Sequence, residues 1–459
     1  MYSLLPVIID YELQQKLEEG CEIGNLRKQF DEWLLSKGCS KREVFFALLE
    51  KEFEYNKEDE KELEPIYKQL LQLTNQEDLE NHPEELRHIL PPSLGVSIDP
   101  LIDLSKEDLF DKIYGGWLGR SAGCTLGKPV ELWPYEKVCS YLKLTDSFPL
   151  NDYIPALEPM PEGYIFKGDS ETALKNRVDG TPRDDDMDYP ILNLQVLDKA
   201  GSAFTTEDVA QMWLQTMPYN LVYTAERVAY RNFIMGKIPP DTANYRNPYR
   251  EWIGAQIRAD LWGWVNPGNP QAAAEMAYRD AKLSHTSNGL YGELWVSAMI
   301  SVAFVRNNVE EIIKQGLSFI PPSSRLAQMI NQVIQWSHQY ENWEDCFEKI
   351  KENYGNYNAV HTINNAAIVT MALLYSKGDF HQGITIAVMA GWDTDCNGAT
   401  VGSILGVMNG ASKLPKHWIS PLNDSITTLV GMDHVIKIST LAERTMFHAL
   451  NHSNGLKRQ

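Results

Sequence analysis

The chain has 459 residues, 43% hydrophobic and 23% charged, with 62 acidic against 42 basic side chains and a formal net charge of −20. That is the composition of a globular protein with a large core. The acidic balance argues against a nucleic-acid or anionic-membrane surface, because both need a basic patch to neutralise phosphate.

The chain opens on "MYSLLPVIIDYEL", which lacks a basic stretch and meets acidic residues at once, a poor secretory signal. Residues 1–105 are charged and leucine-rich, with apolar residues at helical spacing in "YELQQKLEEGCEIGNLRKQFDEWLLSKGCS" and "KREVFFALLEKEFEYNKEDEKELEPIYKQLLQL". Glycine and proline stay scarce until "PPSLGVSIDP", which reads as a linker. A small helical appendage is expected here, its charge runs being solvated helix faces, and separable from whatever chemistry residues 106–459 carry.

From about residue 106 glycine, alanine and tryptophan rise while the pattern stays helical. "EDVAQMWLQTM", "PQAAAEMAYRDAKL", "GELWVSAMISVAFV", "RLAQMINQVIQWSHQY" and "AAIVTMALLYS" each read as a turn-bounded helix, and strand alternation is scarce. An all-α body is predicted. No apolar run reaches the length of a membrane span. The six cysteines, Cys21, Cys39, Cys124, Cys139, Cys346 and Cys396, form no CxxC pair and read as free thiols of a reducing, cytoplasmic setting.

Two segments carry glycine at every fourth position: Gly115, Gly119, Gly123 and Gly127 in "YGGWLGRSAGCTLG", and Gly398, Gly402, Gly406 and Gly410 in "NGATVGSILGVMNG". Each glycine costs a helix interior about 1 kcal/mol relative to alanine. Four on one stripe imply that another backbone comes close, so two tightly packed central helices are predicted.

Acidic clusters stand beside these helices. Asp393 and Asp395 lie in "GWDTDCNGAT" just before the second, and Glu131 ends "LGKPVE" just after the first. Asp184, Asp185, Asp186 and Asp188 lie in "TPRDDDMDYP", where Pro190 is tolerable only near a helix start. Helix capping explains one aspartate at such a place, but three in a row repel one another. A shared site for a hard divalent cation such as Mg2+, which takes several carboxylate oxygens, explains both clusters together.

These motifs resemble the ADP-ribosylglycohydrolases, relatives of dinitrogenase reductase-activating glycohydrolase. That family's pattern runs "GALLGLAVGDALGAPVE", then "TDDT", then "GGDTDT" followed by small residues. Here the same order reads "YGGWLGRSAGCTLGKPVE", "RDDDMDY" and "AGWDTDCNGATVGSILG", over roughly residues 108–450. The resemblance implies a compact all-α fold with two Mg2+ ions, or Mn2+ as the alternative, in a central cleft. It implies hydrolysis of the glycosidic bond joining ADP-ribose to a protein side chain or small molecule. Metal ligands are then expected at Asp184, Asp185, Asp186, Asp393, Asp395 and Cys396, with Asp184 and Cys396 standing where the pattern has threonine. A thiol is a poor ligand for Mg2+, and Asp184 adds an acidic oxygen at the opposite edge. Glu131 is the expected catalytic carboxylate with Asp185 its rival, and His285, Gly127 and Asn397 are expected against the substrate. The bond broken lies at an anomeric carbon, whose transition state resembles an oxocarbenium ion.

Outside the motifs, His361, Asn364 and Asn365 of "HTINNAAI" read as helix-start capping, and Trp252, Trp262 and Trp264 as core rings, one of which stands as a candidate to stack on a base. Two alternatives stay open: a Mg2+ hydrolase of another nucleotide- or nucleoside-like substrate, and a relative that binds ADP-ribose without turnover.

Overall fold

The computed structural model describes residues 4–39, 44–90, 104–431 and 434–456. The linker read in "PPSLGVSIDP" lies outside the described residues. The described chain is built of helices, with one two-stranded antiparallel sheet pairing Ser425–Thr427 with Val435–Lys437. Every helix predicted from the periodicity forms, at Thr206–Thr216, Pro270–Ala281, Ser287–Ala303, Arg325–Gln339 and Thr362–Ser376. Their starts carry the side chains expected there. Thr205 closes a capping box with Asp208, Asn269 and Ser324 accept from backbone amides of the first turn, and His361 accepts from the Ile363 amide.

At the centre lie the two glycine helices, Lys106–Gly127 and Thr394–Asn409, packed antiparallel. A Cβ on Gly115, Gly119, Gly123 or Gly127 would sit 2.3, 2.1, 1.9 or 2.2 Å from the carbonyl oxygen of Gly406, Gly402, Gly398 or Thr394. The reverse holds as well: a Cβ on Gly398, Gly402 or Gly406 would strike the carbonyls of Gly123, Gly119 and Gly115 at 2.5, 2.1 and 2.1 Å. The two backbones therefore touch along three turns. Helix Ser287–Ala303, buried on every side, packs against the second of them, Thr394–Asn409, as fits a helix apolar all round. Trp262 and Trp264 are wholly buried, the latter with its ring centroid 4.5 Å from that of Trp117.

The N-terminal helices, chiefly Leu5–Glu18, Leu26–Ser36 and Lys57–Gln72, enclose a small core of their own around Ile8, Phe30, Leu63 and Leu70. They are also bolted to the body. Arg250 clasps both oxygens of buried Glu12 at 2.9 and 3.0 Å, Gln15 donates to Glu251 at 2.9 Å, and Tyr291 donates to the Pro83 carbonyl at 2.5 Å.

The glycine contacts make a prediction whose sign is opposite to helix propensity. Gly123→Ala in an isolated helix gains about 1 kcal/mol. In this protein its Cβ would drive two backbones apart, and denaturant unfolding should show a loss of about 3 kcal/mol.

Candidate active site

The helix Lys106–Gly127 runs into a single 3-10 turn, Lys128–Val130, and ends at Glu131. Opposite it, the segment before the second glycine helix turns through left-handed backbone at Gly391 and Trp392, with φ of +83° and +60°. Gly391 is needed twice, for that φ and because a Cβ would lie 2.6 Å from the Trp133 carbonyl. The two turns bond as a short antiparallel bridge: Leu132 N–H donates to Trp392 O at 2.8 Å and Trp392 N–H to Trp133 O at 3.0 Å. Thr394 Oγ1 donates to Gly127 O at 2.8 Å. This is how Glu131, Asp393 and Asp395 reach one place from sites some 260 residues apart in the chain.

The third cluster arrives on the helix Asp185–Ala200. Asp184 is its N-cap, with Oδ1 accepting from the Asp186 amide at 3.1 Å. Pro190 has no N–H to give the Asp186 carbonyl four residues back. Arg120, wholly buried on the first glycine helix, takes that carbonyl instead through Nε at 2.9 Å and Nη2 at 2.7 Å. It also holds Asp186 Oδ1 at 2.9 Å and Asp260 at 2.8 Å. Proline thus sits six residues into this helix because an arginine has replaced the lost donor. Asp188 points elsewhere: Arg183, Thr428 Oγ1 and the Leu429 amide use it as a structural anchor.

Together these elements line a cleft of about 660 Å3, whose floor holds Glu131, Lys167, Asp185, Asp393, Asp395 and Cys396. Ligand atoms of Asp393, Asp395 and Cys396 lie within 4.8 Å of one another, and so do those of Asp184, Asp185 and Asp186. Burial, reinforced by the neighbouring carboxylates, pushes Asp186 and Asp393 well above the usual carboxylate range, raises Asp395, and moves Asp185 up to about 8. Asp184 is the exception. Burial would raise it too, but the Lys128 ammonium 2.8 Å away overrides that and holds it low. Asp395 Oδ1 is buried without a hydrogen-bond partner. Acids whose protonated form is favoured by burial and by neighbouring carboxylates, around an unpartnered buried oxygen, fit a divalent cation. Cys396 donates its thiol to Asp186 Oδ2 at 3.1 Å, and burial among carboxylates keeps it a thiol.

Three expected substrate contacts do not line the cleft. His285 is wholly buried; its Nδ1 lies 2.8 Å from Ser284 Oγ and its Nε2 4.0 Å from Glu226, so it stands behind a cleft residue rather than in the wall. Gly127 is occupied by its contact with Thr394, and Asn397 donates to Asn365 Oδ1 at 2.8 Å. Asn365 Oδ1 in turn accepts from the Asp393 amide at 3.3 Å, so Asn397 steadies the aspartate loop. Conversely, the sequence reading passed over Lys128, Lys167 and Glu226. Lys128 was visible, since "LGKPVE" differs from the resembled "LGAPVE" at that residue; Lys167 lies in an irregular stretch that carries no motif. The outer wall was missed as well: Tyr11, Phe45 and Phe46 from the N-terminal helices face the cleft with Tyr223 and Trp252.

The motif residues thus converge on one cleft, and a comparison with known protein families matches residues 105–453 to ADP-ribosylglycohydrolase. The chain belongs to the ADP-ribosylglycohydrolase family. It is therefore a glycoside hydrolase, of a family that acts on ADP-ribose linkages and is typically metal-dependent. A solved structure titled "ADP-ribosylglycohydrolase-related protein complex" is similar at 18% identity and a TM-score of 0.48, covering 75% of this chain and 99% of its own. Among curated proteins no sequence matches. No helix among the described residues is long and apolar enough to cross a membrane.

The raised carboxylates set a pH dependence. Such groups bind more protons folded than unfolded, so their stabilising contribution is full below about pH 4 and is lost as pH rises towards about 8. In chelator, thermal melts of this glycohydrolase should therefore fall across that window. In saturating divalent cation the ions replace the protons and the fall should flatten. Identical pH profiles in the two buffers would rule out a cation at these carboxylates.

Proposed function

We propose that the chain hydrolyses the bond between the anomeric carbon of ADP-ribose and a protein side chain or small-molecule acceptor, with Mg2+ or Mn2+ as cofactor. The observation that carries this reading is the meeting of Glu131, Asp185, Asp393 and Asp395 on the floor of one cleft. When bound, the cation orients ribose hydroxyls and water and offsets the acidic surroundings. Glu131, braced by the Lys167 ammonium, takes the proton of the attacking water as its oxygen bonds to the anomeric carbon. Asp185, which burial keeps protonated near neutral pH, gives its proton to the departing acceptor atom as the glycosidic bond breaks. The reverse assignment of these two carboxylates is the rival.

Tyr11 and Trp252, with ring centroids 5.3 Å apart at 89°, form the aromatic end of the cleft, and we assign the adenine to it. On this reading residues 1–105 are a cap and residues 106–459 the catalytic domain. Free thiols at all six cysteines suit a cytoplasmic setting. A second reading, binding without turnover, is favoured by one observation, the Cys396 thiol spent on Asp186.

Release of ADP-ribose from ADP-ribosylated arginine and serine peptides tests the reading, and binding of ADP-ribose with no release in any divalent cation would favour the second. Asp395→Asn should lower turnover by about 100-fold or more. It should also melt below wild type in excess cation, yet equal or above it in chelator, where the change relieves repulsion. A purely capping aspartate would instead lose about 1 kcal/mol in both buffers. Tyr11→Ala should raise KM about tenfold with kcat unchanged, the scale of one base–aromatic stack, and an unaltered KM would move the adenine elsewhere.

A further inference from the structure

The two acidic groups of the cleft are not equivalent. Lys128 follows Gly127 directly and is held in the 3-10 turn next to the close helix contact. It is buried, and its ammonium lies 2.8 Å from Asp184 Oδ2 and 3.0 Å from Asp169 Oδ2. Asp184 Oδ1 already accepts from the Asp186 amide, so both oxygens of Asp184 are engaged by the protein itself. A second ammonium, that of Lys167, contacts Glu131 and acts on Asp395, Asp184 and Asp185 without contact.

The other group is the reverse. Neither Asp393 nor Asp395 forms an ion pair among the described residues, and Asp395 Oδ1 is buried with no donor. The ammoniums of Lys167 and Lys128 act on Asp395 without contact; a buried carboxylate with no direct ion pair is the costlier arrangement, and this is where a cation has most to offset.

We propose that the centre binds one divalent cation, on Asp393 and Asp395, and that the Lys128 ammonium stands in the place of a second. The inference rests on the metal-dependent reading of the cleft and departs from the two-ion expectation raised by the resemblance. Two departures from the resembled pattern, lysine for alanine at 128 and aspartate for threonine at 184, touch each other here. Together they add no net charge. A second divalent ion beside Asp184 would face that ammonium at close range, and each oxygen of Asp184 already accepts a hydrogen bond from the protein.

Mn2+ is the probe, counted per chain by calorimetric titration and by elemental analysis of the dialysed full-length protein, with its electron paramagnetic resonance spectrum as a second readout. Wild type should bind one Mn2+ with the spectrum of an isolated ion. Lys128→Ala with Asp184→Thr, which restores the resembled pattern, should bind two with a spin-coupled spectrum. Lys128→Met, which keeps the stem and removes the charge, serves if the double variant does not fold, and it too should gain an ion. Two Mn2+ in wild type would overturn the proposal while leaving a metal-dependent hydrolase intact. No Mn2+ in wild type would overturn both readings. A single ion that persists in folded Lys128 variants would refute the lysine's part.

Discussion

Where Cβ atoms would stand on Gly115, Gly119 and Gly123, the carbonyl oxygens of Gly406, Gly402 and Gly398 stand instead, at 1.9–2.3 Å from those positions. That approach fixes the rest. Because the helices run antiparallel, the C-terminal end of one meets the N-terminal end of the other, and the residues just beyond each end become neighbours. Glu131 leaves the first helix there, and Asp393 and Asp395 enter the second. A separation larger by one methyl group would part the turns that Leu132 and Trp392 bond together. The glycines sacrifice local helix propensity, about 1 kcal/mol each, for a contact that only backbone can make.

The second constraint is charge. Six aspartates and a glutamate gather where water is scarce, and the chain treats them differently. Asp188 is tied off by Arg183 and two donors near Thr428, and Asp186 is gripped by Arg120 through both its backbone and its side chain. Asp184 has Lys128. The imbalance is left at Asp185, Asp393 and Asp395, which have neighbouring acids and, among the described residues, no base in ion-pair contact. Buried carboxylates in that state stay protonated or recruit a cation. The same arrangement that destabilises the fold at high pH is therefore what a bound cation would offset.

Much of this was legible in the sequence because it is written in local patterns. Glycine spacing announced the helix pair, and the three motifs announced the acids in their order. Helix starts at Asp184 and Asp393 followed from Pro190 and from the small residues after Asp395. What was not legible depends on contacts across the chain. His285 reads the same whether it faces a cleft or, as here, backs onto Glu226 with no access. Gly127 and Asn397 sit inside functional motifs yet serve the backbone, one by admitting Thr394 and the other by steadying Asn365 beside Asp393. Lys167 reaches Glu131 from an irregular segment that no periodicity describes. The partner of Arg120 is a carbonyl freed by a proline 70 positions away, which no pattern reveals.

The division of the cleft follows from the same geometry. Its floor belongs to the glycine helices and to the helix Asp185–Ala200, elements locked by backbone contact and by buried Arg120, so the reacting groups have little freedom to change. The opposite wall is made by Trp252 and Tyr223 together with Tyr11, Phe45 and Phe46, and the last three lie outside the residues that match the family. Those rings are carried by helices with their own core, joined to the body through Arg250 and Gln15 rather than through the carboxylates of the floor. Substitutions in this wall therefore leave the backbone contacts that position the acids untouched, so floor and wall are separate parts of one cleft.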